Sequence, residues 1–321
     1  MREVKKFEKE ITGVRNISFY SVSTDLKIVP SDEPKISIEA EVSGFKSDVE
    51  NYEPKIKVYG DTVEVFLIKR SSISIFGISS PKVLRAEIHI PRSLTLKLET
   101  TSGDIYFDEI DLKNLLAKTV SGDITIYGGK VDSITINSTS GDVDISGILS
   151  PVNGISIHSV SGDIKLKRLN FSKAYFKTIS GDVTALGVNP KTKSIEIKTV
   201  SGDANISYSS KPSIHIEFST VSGDIQTDEG RHFSGKISSA SFDIGSSPNS
   251  VLKFKSVSGD AKLNFGKGES VKAQAVSNEN LNIFKEIMNS KRATSEEVKE
   301  LMLTLGYSQE DIDNFFRGEK K

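Results

Sequence analysis

Over the middle of this 321-residue chain, apolar and polar residues alternate with period two in short stretches grouped around one recurring phrase. The phrase is an apolar residue or threonine, then Ser-Gly-Asp, then Ile, Val or Ala. Nine copies run from Ser102 to Asp260, at steps of 19, 19, 21, 19, 21, 21, 19 and 17 residues from serine to serine. Four residues before the serine stand Leu98, Ala117, Ile136, Ile157, Phe176, Ile197, Phe218, Ile237 and Phe254. Six before it the column is also mostly apolar, from Leu96 to Leu252, with Gly235 the exception. The intervening positions, such as Lys97, Thr135, Glu196 and Lys253, are mostly polar. Such alternation predicts a half-buried strand, because successive side chains point to opposite faces. A second strand is predicted after the aspartate, where Ile105, Ile124, Val143 and Ile164 are followed two residues later by Phe107, Ile126, Ile145 and Leu166.

Each unit is therefore a strand, a bend at Ser-Gly-Asp, another strand and a variable connection. One unit alone cannot fold. It buries about five apolar side chains at roughly 1.5–3 kcal/mol each, whereas ordering about 20 residues costs on the order of 20–40 kcal/mol of backbone entropy. Stacking supplies the remainder through continuous backbone hydrogen bonding and apolar ladders, so the expected fold is all-β: a parallel β-solenoid, right-handed, with about 20 residues per coil. The glycine has two explanations, positive φ at a corner or an interior too narrow for a side chain. Either way the eighth copy, Ser241-Phe242-Asp243, should be a distorted coil.

Three regions are predicted. Residues 1–93 hold irregular strands that form the first coils and cover the amino-terminal end, with Ser23-Thr24-Asp25-Leu26 as a degenerate copy of the phrase. Residues 94–268 form the regular solenoid. Residues 269–321 take a helical period, with Thr294 and Glu297 as a capping box, Gly306 as a stop and Ser308 as the cap of a third helix. These helices are expected either to cap the last coil near Ser258-Gly259-Asp260 or to bind a partner.

Composition narrows the chemistry. A net charge of −1 argues against nucleic acid as the main partner and against an anionic membrane. The absence of cysteine excludes thiol catalysis, disulfides and thiolate metal sites. The residues around Met1–Ile11 are charged, and no stretch approaches the length of an apolar membrane span. The expected location is therefore cytoplasmic, with the cell surface as the alternative if a leader has been removed.

Among candidate functional groups, the aspartate column (Asp104, Asp123, Asp142, Asp163, Asp182, Asp203, Asp224, Asp243, Asp260) stands out. Carboxylates in register repel by roughly 1 kcal/mol per neighbouring pair in water. Local hydrogen bonds from backbone N–H groups at the bend are expected to offset this; a row of calcium ions is the alternative, although one Asp per coil is lean for six to eight oxygens. Every copy also carries a hydroxyl two residues before the serine, from Thr100 to Ser256, read as a corner hydrogen-bonding ladder. His89, His158, His215 and His232 are read as surface groups. Lys118, Lys177, Lys198 and Lys255 recur three residues before the serine, but Glu99, Asn137, His158 and Ser219 interrupt them, so they read as a mixed solvated face. No residue is assigned as catalytic, cofactor-binding or metal-ligating, and no cofactor is expected.

His89-Ile90-Pro91-Arg92 running into Leu94–Ile105, followed by serial Thr-Val-Ser-Gly-Asp-Ile phrases, resembles the bacterial and archaeal putative-adhesin family. The resemblance covers roughly Val14–Phe265. It implies a β-helix-like fold, surface exposure and adhesion, and supplies no catalytic residues. The expected function is a non-enzymatic scaffold presenting a repetitive surface to a protein or polysaccharide partner. Self-association through the solenoid ends or the carboxy-terminal helices belongs to the same expectation. The alternatives are a calcium-binding solenoid and a polysaccharide lyase or hydrolase built on a β-helix.

Overall fold

The computed structural model describes residues 1–67, 72–74, 77–79, 81–233, 239–266, 299 and 309–318. The fold is all-β and solenoid-like, an open sheet in which equivalent strands of the repeat lie side by side. On one face, Leu94–Glu99 pairs in parallel with the end of Ile105–Lys118, and that segment with the end of Ile124–Asn137. Val152–His158, Phe171–Lys177 and Ser194–Lys198 continue the series. On the other face, the start of Ile105–Lys118 leads through Ile124, Val143–Ser146, Ile164–Lys167 and Val183–Val188 to Ala204–Tyr208. The register matches the alignment of the phrases, with Ile105 opposite Ile124, then Val143, Ile164, Val183 and Ala204. We call each pair of strands flanking a Ser-Gly-Asp bend a rung. Inward columns from both faces make one continuous core, including Leu98, Ile136, Phe176, Ile126 and Leu166.

Two bends shape a rung, and the repeat glycine occupies the first. It does not have positive φ there. A Cβ at Gly122 would lie 2.0 Å from the carbonyl oxygen of Gly103, and one at Gly141 would lie 1.9 Å from that of Gly122. What excludes a side chain is therefore the backbone of the neighbouring rung, a closer constraint than a narrow interior. The degenerate phrase obeys the same geometry, since Thr24 stands against Gly103 where a glycine stands elsewhere. The second bend lies five residues after the aspartate and does use positive φ, at Glu109, Gly128, Gly147, Arg168 and Gly187. Glycine reaches that region without steric cost; Glu109 and Arg168 do not.

Rung order departs from chain order at both ends. The last rung, Ser250–Lys255 with Ala261–Asn264, does not lie outermost. It inserts between the rung of Ser194–Lys198 and Ala204–Tyr208 and the rung of Ile214–Ser219 and Ile225–Thr227. The first rung, Asn16–Tyr20 with Asp25–Ser31, is likewise enclosed: Leu94–Glu99 and Ile105 lie on one side, Thr62–Phe66 and Lys82–Pro91 on the other. Residues 1–91 thus supply two rungs together with antiparallel edge strands, Lys55–Tyr59 on one face and Lys35–Ser43 followed by Arg2–Glu10 on the other.

The eighth phrase corrects the sequence expectation. Ser241-Phe242-Asp243 does not form a distorted coil. It lies in Ala240–Ile244, which pairs antiparallel with Ile214–Ser219 and places Phe242 opposite Ile216, partly buried against the core. Phenylalanine fits because no rung stacks glycine-to-carbonyl at this position. The rung of Ser258-Gly259-Asp260, near which the carboxy-terminal helices were expected to dock, is interior to the stack. Gln309–Gly318 is helical, with Ile312 and Phe315 buried; Thr294, Glu297, Gly306 and Ser308 lie outside the described residues. Among the described residues no helix is long and apolar enough to cross a membrane.

Candidate functional site

Two outward surfaces arise from the rung geometry, and the first is the ridge at the Ser-Gly-Asp bend. Here the hydroxyl column does structural work. Thr119 Oγ1 accepts the N–H of Gly122 at 2.9 Å, Ser159 Oγ that of Gly162 at 3.0 Å, and Thr199 Oγ1 that of Gly202 at 2.8 Å. These hydroxyls are buried, so each satisfies an N–H that water cannot reach. The aspartates form a second ladder, between rungs instead of within one bend as expected. Asp123 N–H donates to Asp104 Oδ1 at 2.9 Å, Asp142 N–H to Asp123 Oδ1 at 2.8 Å, and the series continues through Asp163, Asp182, Asp203 and Asp260 to Asp224. Asp25 begins it by accepting from Asp104 N–H at 3.2 Å, and Asp243 stands apart, paired with His215. Along the ladder from Asp25 to Asp260, one oxygen of each carboxylate is thus committed to the backbone. Among the described residues no three His, Asp or Glu side chains converge as a metal ion requires.

Beside these polar ladders runs an apolar line that the sequence reading passed over. The residue immediately before the serine points outward: Val120, Val160, Ile179, Val200, Val257 and Val221 are 41–63% exposed. With Val22, Thr101 and Thr139 they form one line nine rungs long, about 40 Å at roughly 4.8 Å per rung. Its sequence signal was the run of β-branched residues one place after the buried hydroxyl column.

The second surface is the outer face of the strands that precede the bend. A groove of about 410 Å³ runs along it, with Ser133, Thr135, Gly154, Ser156 and Ser194 keeping it open because they are small. Tyr175, Lys173, Glu196 and Lys253 line the same groove. Beside it the exchanged rung order changes the charge pattern. His158, Lys177, Lys198 and Lys255 stand opposite one another on four consecutive rungs. Ser219, which separates Lys198 from Lys255 in the sequence, lies beyond Lys255 in space. The lysine column expected to be a mixed face is a contiguous basic row at this place.

The row has a defined microenvironment. Lys198 Nζ is 2.8 Å from Glu196 and 5.1 Å from the centre of the Tyr175 ring, whose edge meets His158. Hydrogen bonding to Glu196 raises the Lys198 pKa above the ordinary lysine range. Glu217 is held below the usual carboxylate range, chiefly by its hydrogen bond to Lys253 and further by His215 and Lys255. Lys173, Lys177 and Lys255 form no ion pair with a described residue. The remaining histidines are partly exposed beside carboxylates: His89 is 3.0 Å from Glu87, His215 2.6 Å from Asp243, and His232 4.0 Å from Asp224. The structure thus disperses the histidines and brings together lysines that the sequence kept apart.

The family described as Toastrack DUF4097 matches residues 14–264. Among solved structures the chain is similar to a putative adhesin from Parabacteroides merdae, with 10% identity, 81% of this chain and 96% of that one covered, and a TM-score of 0.44. A putative adhesin from Bacteroides fragilis shares 13% identity over 81% of this chain and 97% of its own, with a TM-score of 0.42. A putative lipid binding protein from Parabacteroides distasonis shares 16% identity over 80% and 96%, also with a TM-score of 0.42. No curated protein matches the chain.

Proposed function

This chain belongs to the Toastrack DUF4097 family, and we propose that it acts as a non-enzymatic, adhesin-like scaffold whose registered rungs present repeated chemistry to an extended polysaccharide or protein partner. The observation that carries this reading is the groove beside the basic row, where concavity and unpaired charge coincide on a rigid stack of parallel strands. Rigid presentation lowers the ordering cost of binding. A right-handed winding with about 20 residues per coil belongs to the same proposal, since parallel crossovers are right-handed by strong preference. Exposure at a cell surface is the setting that adhesion requires, in place of the cytoplasmic one expected from the sequence.

The test immobilises the full chain and passes over it neutral polysaccharides, anionic polysaccharides and purified surface proteins. Saturable binding to at least one class, with polymer length and reducing ends unchanged, is the expected result. Chain shortening, or new unsaturated uronate ends, would replace the scaffold with the lyase or hydrolase alternative. A second reading is favoured by the exposed β-branched ridge: two copies of the chain can cover each other's apolar line. Concentration-dependent light scattering that rises for the native chain and not for a Val160→Lys, Val200→Lys variant would support it.

A further inference from the structure

We infer that the partner is an anionic polysaccharide, carboxylated or sulfated, lying along the rung axis with its acidic groups on Lys177, Lys198 and Lys255. This deepens the scaffold reading and rests on it. The cationic groups stand on consecutive rungs roughly 4.8 Å apart. Like charges at that separation in water repel by roughly 1 kcal/mol per pair. Glu196 pairs with Lys198 and Glu217 interacts with Lys255 at longer range, whereas Lys177 has no ion-pair partner among the described residues. A linear chain bearing an acid at regular intervals supplies the missing counter-charge to several lysines at once.

The adjoining groove sets the class of polymer. Its hydroxyl-bearing wall, Ser133, Thr135, Ser156 and Ser194, offers donors and acceptors to sugar hydroxyls. Glu196 and Glu217 lie among the lysines and can accept hydrogen bonds from sugar hydroxyls. A flat membrane surface fits the concave groove poorly. Lys198 is held in place by Glu196 and by the face of Tyr175, so part of the site is formed before the polymer arrives.

The test uses the intact chain with polygalacturonate and dextran sulfate as the charged probes, and fully methyl-esterified pectin and dextran as their neutral counterparts. At least one charged probe is expected to bind about tenfold or more tightly than its neutral counterpart, and to weaken as salt rises. The two charged arms separate carboxylate from sulfate recognition. A Lys177→Glu, Lys255→Glu variant should lose about tenfold in affinity while melting close to the native chain, since both side chains are exposed. Equal binding of charged and neutral polymers, or unchanged binding by the variant, overturns the inference and leaves the scaffold reading standing. Tighter binding to duplex DNA or to phosphatidylserine vesicles overturns it as well. Failure to bind any polysaccharide or protein removes both.

Discussion

At the scale of single residues, Gly141 and Gly154 place opposite limits on a side chain. Gly141 lies where a Cβ would meet the Gly122 carbonyl oxygen at 1.9 Å, and that oxygen belongs to backbone that cannot move without opening the stack. Gly154 sits in the groove with nothing within 4 Å. Gly141→Ala is therefore expected to cost about 3 kcal/mol or more, at or beyond the upper end of ordinary overpacking. Gly154→Ala should be neutral, or more stable by up to ~1 kcal/mol through the unfolded state. Urea midpoints compare them directly, and equal losses would refute the stacking account. The repeat made the column of Gly141 legible, but the reason for it was not: a close approach between rungs leaves no mark on local sequence. The bend that does need positive φ, five residues after the aspartate, was hidden because Glu109 and Arg168 break the run of Gly128, Gly147 and Gly187.

At the scale of an element, the aspartate ladder shows how a repulsive column can be retained. Along the ladder from Asp25 to Asp260 each Oδ1 accepts the next rung's N–H, so the carboxylate contributes as an acceptor while its charge opposes its neighbours. These two roles can be separated at Asp203, which accepts from Asp260 N–H at 2.8 Å. Asp203→Ala removes the acceptor and should cost about 1 kcal/mol. Asp203→Asn keeps an acceptor and removes a charge, so stability should match or exceed the native value at low salt. That advantage should shrink as salt screens the row. Denaturation at low and high NaCl distinguishes the two, and an asparagine variant as unstable as the alanine one would show that charge, not acceptance, is what matters. The sequence identified the column and the need for compensation; it placed the hydrogen bonds within one bend because the spacing of a single rung cannot reveal which backbone lies above it.

At the scale of the whole molecule, the order of the rungs decides both the ends and the candidate site. The columns that make the repeat recognisable also make every rung edge chemically equivalent, so any rung can stack on any other. Sequence therefore predicts rung content well and rung order poorly. The inserted last rung exploits that equivalence: it is paired along both edges, and it brings Lys255 beside Lys198. Its hold on the outermost rung can be tested at Phe254, which is 2% exposed and stacks on Phe218 with ring centres 5.4 Å apart. Phe254→Ala should cost about 3–5 kcal/mol, concentrated at this end of the stack. Hydrogen exchange should then show Ser250–Lys255 and Ile214–Ser219 opening together, while Ile134–Asn137 keeps its protection. If the rungs stacked in chain order, Ile214–Ser219 would lie inside Ser250–Lys255 and retain its native protection in the variant. That result would dismantle both the inserted rung and the contiguous lysine row that depends on it.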